Sequence, residues 1–363
     1  MATPLLSVIV PAHQAAKVLR LSLGALEAST LARADWELVV VDDASTDDTS
    51  FVAAEYADTV VRLGGKPHGP AYARNRGFES TRGDIIVFID ADVCVHTDTL
   101  ARFVQLFETH PDIGAALGSY DANPPAKGFI SEYRNLLHHY HHQRNPGDAE
   151  TFWAGCGAVR ASVFVDADMY DEWAYPRPQI EDIELGHRIR AAGHRIVLRP
   201  EIQCAHLKRW TLRTMIRTDL NDRGVPWARL LVAQGAMASS DSLNLKRMEK
   251  ISTALAWLML ALLVYGGVAG SRTAVIAGLA CLIPVIYANR PLYGFFERVR
   301  GFWFALRVVP VHVLYYLLNG IAAVFGWVLH HLVGGSGPDP AVEAVSELGL
   351  ETWPPAPVKR KAR

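Results

Sequence analysis

Hydrophobic and polar positions alternate in two distinct regimes along the chain. In the first regime, short β-branched runs are separated by helical periodicities. Leu6–Pro11, Trp36–Val41, Thr59–Leu63 and Ile85–Ile89 read as strands. Ile85–Ile89 is apolar throughout and bounded by Gly83 and Asp90, as in a strand buried on both faces. Helical patterns lie between them, over Ala15–Ala28, from the capping residues Ser45–Asp48 through Tyr56, and over Gly69–Thr81. Strands alternating with helices predict an α/β fold with a mostly parallel, doubly wound, Rossmann-like sheet.

The second regime begins near Ile251. From Ile251 to Ala269 no residue is charged, enough for one membrane-crossing helix. Ser271 and Arg272 break the run, Thr273–Ala288 is a second apolar stretch, and Val308–Val333 is a third, interrupted by His312. The expected organisation is a catalytic domain over 1–210 and an amphipathic, interfacial segment over 211–250. Transmembrane helices follow at about 251–270, 273–288 and 308–333, then a flexible tail over 334–363. Arg290, Arg298, Arg300 and Arg307 cluster between the second and third runs, against Arg272 alone in the first turn. The positive-inside rule then puts 289–307 and the first domain on the cytoplasmic side of the cytoplasmic membrane. A third span would carry the basic end Lys359–Arg363 to the other side, so the pattern leaves two and three spans open.

Composition narrows the picture further. A net charge of −1 over 363 residues gives no footing for nucleic acid. The four cysteines, Cys94, Cys156, Cys204 and Cys281, lack metal or disulfide spacing, which fits a reducing compartment. The start from Met1 to Leu6 has no basic region followed by a long apolar core, so no signal peptide is expected.

The candidate chemistry sits at strand ends. Asp42 and Asp43 close the second strand; Asp90 and Asp92 close the fourth. In a parallel sheet these ends share one edge, where ligands bind. Carboxylates gathered there repel one another unless a cation or hydrogen-bond donors intervene. An Asp-rich turn is the alternative. Arg74 offers a planar fork suited to diphosphate or a base carbonyl; a solvated helix residue paired with Glu79 is its alternative. The first βα turn, Pro11-Ala12-His13-Gln14-Ala15-Ala16, has no glycine, which argues against a dinucleotide dehydrogenase.

Together Ser7–Pro11, Val41-Asp42-Asp43-Ala44-Ser45-Thr46-Asp47, Gly69–Gly77 with Ala73-Arg74-Asn75, and Gly83-Asp84 leading into Asp90-Ala91-Asp92 resemble the inverting nucleotide-sugar glycosyltransferases of family 2. The resemblance implies a GT-A fold, a nucleotide sugar (UDP-linked in preference to GDP-linked) and a divalent cation, Mn2+ or Mg2+. Pro11, His13, Asp43 and Arg74 are then expected on the nucleotide, Asp90 on ribose or metal, and Asp92 on the metal. His13 stands where the family more often has Tyr or Phe.

The resemblance continues on the acceptor side. Phe152–Gly157 resembles the segment flanking the sugar, with Trp153 and Gly155 as acceptor contacts. Ile180–Leu185 resembles the Glu-Asp motif, in which Glu181 neighbours the acceptor and Asp182 is the catalytic base. An inverting transfer needs one carboxylate to take the acceptor proton and a cation on the diphosphate. His206-Leu207-Lys208-Arg209-Trp210 resembles the Gln-x-x-Arg-Trp motif of membrane-bound members such as ceramide glucosyltransferases. Arg209 is expected on diphosphate, Trp210 at the acceptor, and His206, replacing Gln, on metal or diphosphate. His138, His139, His141 and His142 read as a polar helix face, with zinc binding as the lesser alternative. The expected protein is therefore a membrane-anchored enzyme transferring sugar to a lipid-linked or saccharide acceptor. A processive polysaccharide synthase and a catalytically silent scaffold are the competing readings.

Overall fold

The computed structural model describes residues 4–235 and 247–333, which divide into two compact units. Among the described residues, the first unit takes 4–121 and Pro146–Leu207; the second takes Ala122–Asn145, 208–235 and 247–333. Helix α5, Phe129–Gln143, thus belongs to the helical unit.

In chain order the first unit contains β1 (Leu6–Ala12), α1 (Ala16–Glu27), β2 (Trp36–Asp43), α2 (Thr49–Ala54), β3 (Thr59–Leu63) and α3 (Pro70–Phe78). There follow β4 (Ile85–Ile89), β5 (Val93–Val95), α4 (Thr99–Thr109) and β6 (Ile113–Tyr120). Past α5 come β7 (Gly147–Asp148), β8 (Cys156–Arg160), α6 (Ala161–Asp166), α7 (Glu181–Ala191) and β9 (Arg195–His206). The strands form one sheet in the order β3-β2-β1-β4-β8-β6-β9-β5, with β7 paired to β9.

The sheet is mixed rather than mostly parallel. β3, β2, β1 and β4 run parallel, but β8 enters antiparallel between β4 and β6, in register Phe88↔Gly157 and Leu117↔Gly157. β9 then lies parallel to β6. This weave brings the ends of β2, β4, β6 and β9, and the start of β8, to one edge.

Alternation within the strands feeds two cores. Val8, Val10, Val87 and Ile89 point to the layer of α1 and α4; Ile9, Val41, Ile86 and Phe88 point to the layer of α3, α6 and α7. All of Ile85–Ile89 is buried, because both faces are covered. The expected helix begins at Thr49 with Asp48, one of the four capping candidates, at its N-cap, and ends at Ala54 rather than Tyr56; Ser45 and Thr46 are engaged elsewhere. Their hydroxyls accept from Gln14, at 3.0 Å from its backbone N and 2.8 Å from its side-chain N, while the Asp47 carboxylate accepts from Ala16 N at 3.2 Å.

The second unit comprises α5, α8 (Leu212–Arg217), a π-helical turn at Thr218–Gly224, α9 (Val225–Ala233), α10 (Arg247–Ala269), α11 (Arg272–Ala280), α12 (Leu282–Ala288), α13 (Arg290–Arg300) and α14 (Phe302–Val333). α10 and α14 are long and apolar enough to cross a membrane. The 272–300 pair is bent by 72° at Asn289, so it is a broken span or a re-entrant loop. Beyond the bend, α13 is strongly amphipathic, with Arg290 and Arg298 exposed and Phe296 buried. The segment after Lys208 is not a lone surface helix. α9 packs on α14 through small residues: a Cβ at Gly326 would lie 2.4 Å from that of Ala228, and one at Gly224 2.7 Å from that of Ala322. Inside this unit Trp210 is buried, its ring 5.6 Å from the Arg134 guanidinium, and Arg134 forms a buried ion pair with Asp219 at 2.5 Å.

Candidate active site

The carboxyl edge of the sheet carries three groups of side chains, two placed by strand ends and one by a helix start. At β2, the Asp43 carboxylate accepts from the backbone N–H of His68 at 2.8 Å and of Gly69 at 2.7 Å. Asp43 is buried and therefore fixes the 68–69 turn that starts α3. His13, beyond β1, is exposed and donates Nδ1–H to the carbonyl of Asp43 at 2.7 Å, which sets its tautomer. Pro11 lies half-buried in β1 beside Val41. Asp42 instead serves its own turn, accepting from Ser45 N at 3.0 Å and from the Ser50 hydroxyl.

The second group lies past β4. Asp92 and His206 come together because β5 pairs with β9, in register Val93↔His206, and Leu207 N donates to the Asp92 carbonyl at 2.8 Å. Nε2 of His206 then stands 3.4 Å from Oδ2 of Asp92. The imidazole is held flat against Tyr120 at the end of β6, with ring centroids 4.7 Å apart and 6° between planes. Trp153 meets the same tyrosine edge-on at 4.8 Å. A Cβ at Gly155 would sit 2.6 Å from the Trp153 ring, so only glycine allows this approach. The Gly155 carbonyl in turn faces Asp90 N at 3.5 Å.

The third group is the start of α7, whose acidic first turn and basic last turn both suit the helix dipole. Asp182 is half-buried, with Oδ1 accepting from Ile183 N at 2.8 Å and Oδ2 from Ala154 N at 3.3 Å. α7 sits directly on the strand-entry segment: a Cβ at Gly186 would lie 2.2 Å from the backbone N of Phe152. Glu181 is buried and accepts from Gln179 N at 2.8 Å. Arg74, also buried, bridges the second and third groups, donating to Asp90 at 2.8 Å and Glu181 at 3.0 Å. Burial works against its charge, but Tyr170, Asp90, Glu181 and Asp182 outweigh it and push the guanidinium above the ordinary arginine range. The solvated-helix alternative for Arg74 does not hold; it is Arg76 that pairs with Glu79, at 2.9 Å.

The edge thus gathers Pro11, His13, Asp43, Arg74, Asp90, Asp92, Trp153, Gly155, Glu181, Asp182 and His206. Arg209 and Trp210 fall in the helical unit. Residues that sequence reasoning passed over are Tyr120, His68 and Tyr170. Only the placement of β6 on this edge marks Tyr120. Among the described residues no group of three or more His, Cys, Asp or Glu side chains is arranged to hold a metal. Asp92 and His206 supply a mixed carboxylate–imidazole pair, and phosphate oxygens and water would have to complete a coordination sphere. That donor set suits Mn2+ at least as well as Mg2+.

A mixed sheet with an Asp-x-Asp turn on its carboxyl edge, followed by C-terminal helices able to span a membrane, is a GT-A-like architecture. Residues 7–167 match the family described as Glycosyl transferase family 2. The chain is 30% identical over 152 residues to Glycosyltransferase AglE of Haloferax volcanii, a match covering 37% of this chain and 50% of that protein. It is 34% identical over 90 residues to the Escherichia coli UDP-Glc:alpha-D-GlcNAc-diphosphoundecaprenol beta-1,3-glucosyltransferase WfgD, covering 24% of this chain and 35% of that one. The chain therefore matches half or less of the length of these curated relatives. The mannosyltransferase PcManGT from Pyrobaculum calidifontis, solved in complex with GDP-Man and Mn2+, shares the fold. Its TM-score is 0.55 at 18% identity, over 90% of this chain and 88% of that one.

Proposed function

We propose that the chain is a membrane-anchored, inverting, metal-dependent glycosyltransferase that moves a sugar from a nucleotide sugar to a lipid-linked or saccharide acceptor. One observation carries the reading: the Asp92–His206 pair and the Asp182 carboxylate occupy the same sheet edge but separate elements. Charge on a leaving diphosphate and the proton of an acceptor hydroxyl are thus met by different groups.

In this reading Pro11, His13 and Asp43 receive the base and Asp90 the ribose. Asp92 and His206 hold the divalent ion, which when bound neutralises charge on the diphosphate. Asp182 accepts the acceptor proton; its two backbone N–H donors hold the carboxylate in place. Trp153 and Gly155 shape the sugar side. The neighbours support both halves, since PcManGT was solved with GDP-Man and Mn2+ and WfgD is named for UDP-Glc and a diphosphoundecaprenol acceptor. Helices able to cross a membrane, covalently joined to the catalytic domain, favour a lipid-linked acceptor and a cytoplasmic-membrane location with the active site inside.

The test is transfer by the full chain in bilayer nanodiscs, with UDP- and GDP-sugars offered against polyprenyl-linked saccharides. Product with the anomeric configuration opposite to that of the donor, lost on adding EDTA and restored by Mn2+, supports the reading. Turnover indifferent to EDTA, or retained configuration, would overturn it.

A further inference from the structure

Helix α3 binds two distant parts of the site with three consecutive side chains. Asn75 is buried and clasps the backbone of Tyr170, its amide N donating to the carbonyl at 2.9 Å and its amide O accepting from Tyr170 N at 3.1 Å. The same amide N donates to Glu172 at 2.8 Å, and Arg76 pairs with Glu172 at 3.2 Å. Arg74 reaches inward between them. One terminal nitrogen meets Asp90 and the other Glu181, and the guanidinium carbon lies 5.3 Å from the Tyr170 ring centre.

Each carboxylate that Arg74 holds lies one or two positions before a residue with a chemical task. Asp90 opens the turn that ends in Asp92, and Glu181 is followed by Asp182. At 3% exposure the guanidinium has both ends of its fork committed to carboxylates. Turning it toward a nucleotide would strip Glu181, itself at 5% exposure, of its buried counter-charge.

We propose that Arg74 is a positioning residue, which ties the Asp90–Asp92 turn to the Glu181–Asp182 helix start, and is not a ligand of the nucleotide. This rests on the reading of Asp92 and Asp182 above. The guanidinium suits the task because its planar fork spans two carboxylates at fixed separation, which a lysine ammonium cannot do. A displacement of either side by about an ångström is enough to cost on the order of 100-fold in rate.

The experiment compares Arg74→Gln, Arg74→Lys, Glu181→Gln and the double variant Arg74→Gln/Glu181→Gln in the full chain. Hydrogen–deuterium exchange of ligand-free protein is followed in segments 88–92 and 180–186. Expected is faster exchange in both segments together in Arg74→Gln. Its kcat should fall roughly 100-fold while the nucleotide-sugar KM stays within about threefold. The double variant should be no worse than Arg74→Gln alone, since Arg74→Gln already breaks the tie that Glu181→Gln removes. Arg74→Lys keeps the charge and safeguards folding, and it should still lose kcat with KM unchanged. A raised KM with kcat retained, exchange altered in one segment only, or additive losses in the double variant would overturn the proposal. Should the wild type transfer no sugar, the glycosyltransferase reading falls, while the exchange measurement still decides whether Arg74 ties the two segments.

Discussion

The imidazole of His206 lies flat on the ring of Tyr120, 4.7 Å between centroids, with Nε2 turned toward Asp92 at 3.4 Å. Stacking fixes the ring plane and leaves one nitrogen aimed at the carboxylate. An oriented imidazole of this kind binds a divalent ion more tightly than a mobile one. His206→Ala should therefore raise the Mn2+ concentration needed for half-maximal activity by roughly 10- to 100-fold, and Tyr120→Ala by a smaller factor in the same direction. Tyr120→Phe keeps the ring and should be nearly neutral. Manganese titrations of turnover check all three, and an unchanged midpoint in His206→Ala would remove it from the metal site.

Asp182 is held by two backbone N–H groups at a helix start, where an ionised carboxylate is favoured. Asp182→Asn preserves shape and removes the base. With a hydroxyl acceptor kcat should fall about 10²- to 10⁴-fold, while nucleotide binding measured by calorimetry stays near the wild-type value. With a phosphate acceptor, already ionised near neutral pH, the loss should be small. The size of the effect therefore reports the acceptor class.

Gly186 faces the backbone of Phe152 so closely that a methyl group would sit 2.2 Å from its nitrogen. Alanine normally favours a helix over glycine by about 1 kcal/mol, but here overpacking of about 1–3 kcal/mol opposes it. Gly186→Ala should lower the melting temperature and shift the start of α7, so that kcat falls more than nucleotide affinity. A more stable, fully active variant would show that the contact relaxes freely.

Much of this was legible in the chain, for identifiable reasons. Ile85–Ile89 could be read as a doubly covered strand because burial on both faces leaves no polar position, and its acids could be placed because they close the run. β8 could not be read. Its Cys-Gly-Ala-Val-Arg sequence carries no sign that it enters antiparallel between β4 and β6, and that insertion is what makes the sheet mixed. The surroundings of Arg74 were not legible, since its partner Glu181 lies 107 positions away. Local periodicity gives a helix position and says nothing of so distant a carboxylate. At α2 the capping stretch was legible, with Asp48 at the N-cap, but not the use of its other members. Ser45 and Thr46 have capping chemistry, yet a turn about thirty residues earlier claims their hydroxyls, a tertiary contact overriding a local preference.

The bend of 72° at Asn289 makes topology a direct question. If 272–288 crosses the membrane, the Ser271 turn and the Gly301 turn lie on opposite sides, with Gly301 in the cytoplasm beside Arg298 and Arg300. Single cysteines at Ser271 and Gly301, in a background with the native cysteines replaced, should then differ. An impermeant maleimide added to intact cells should label Ser271→Cys and spare Gly301→Cys. Labelling of both would mark the bent segment as a re-entrant loop that returns to the side it entered from, and protection of both would mean that α10 does not cross.

His142 gives the fold a pH dependence of known sign. It is buried in α5, and burial, followed by the neighbouring His141 and His139, holds its pKa down to about 3 from the usual 6.5. The unfolded chain takes up a proton near pH 6.5 that the folded chain refuses. Its contribution to stability is therefore complete above that pH and is lost progressively as pH falls from 6.5 toward 3. Between pH 7 and 5.5 this amounts to about 1 kcal/mol, before the carboxylates begin to titrate. His142→Gln has no such proton to take up. Its thermal midpoint in detergent should drop less than that of the wild type over the same interval, with the two proteins converging in slope above pH 7. Equal drops would mean that His142 is protonated in the folded protein and that the helix face carrying it is open to water.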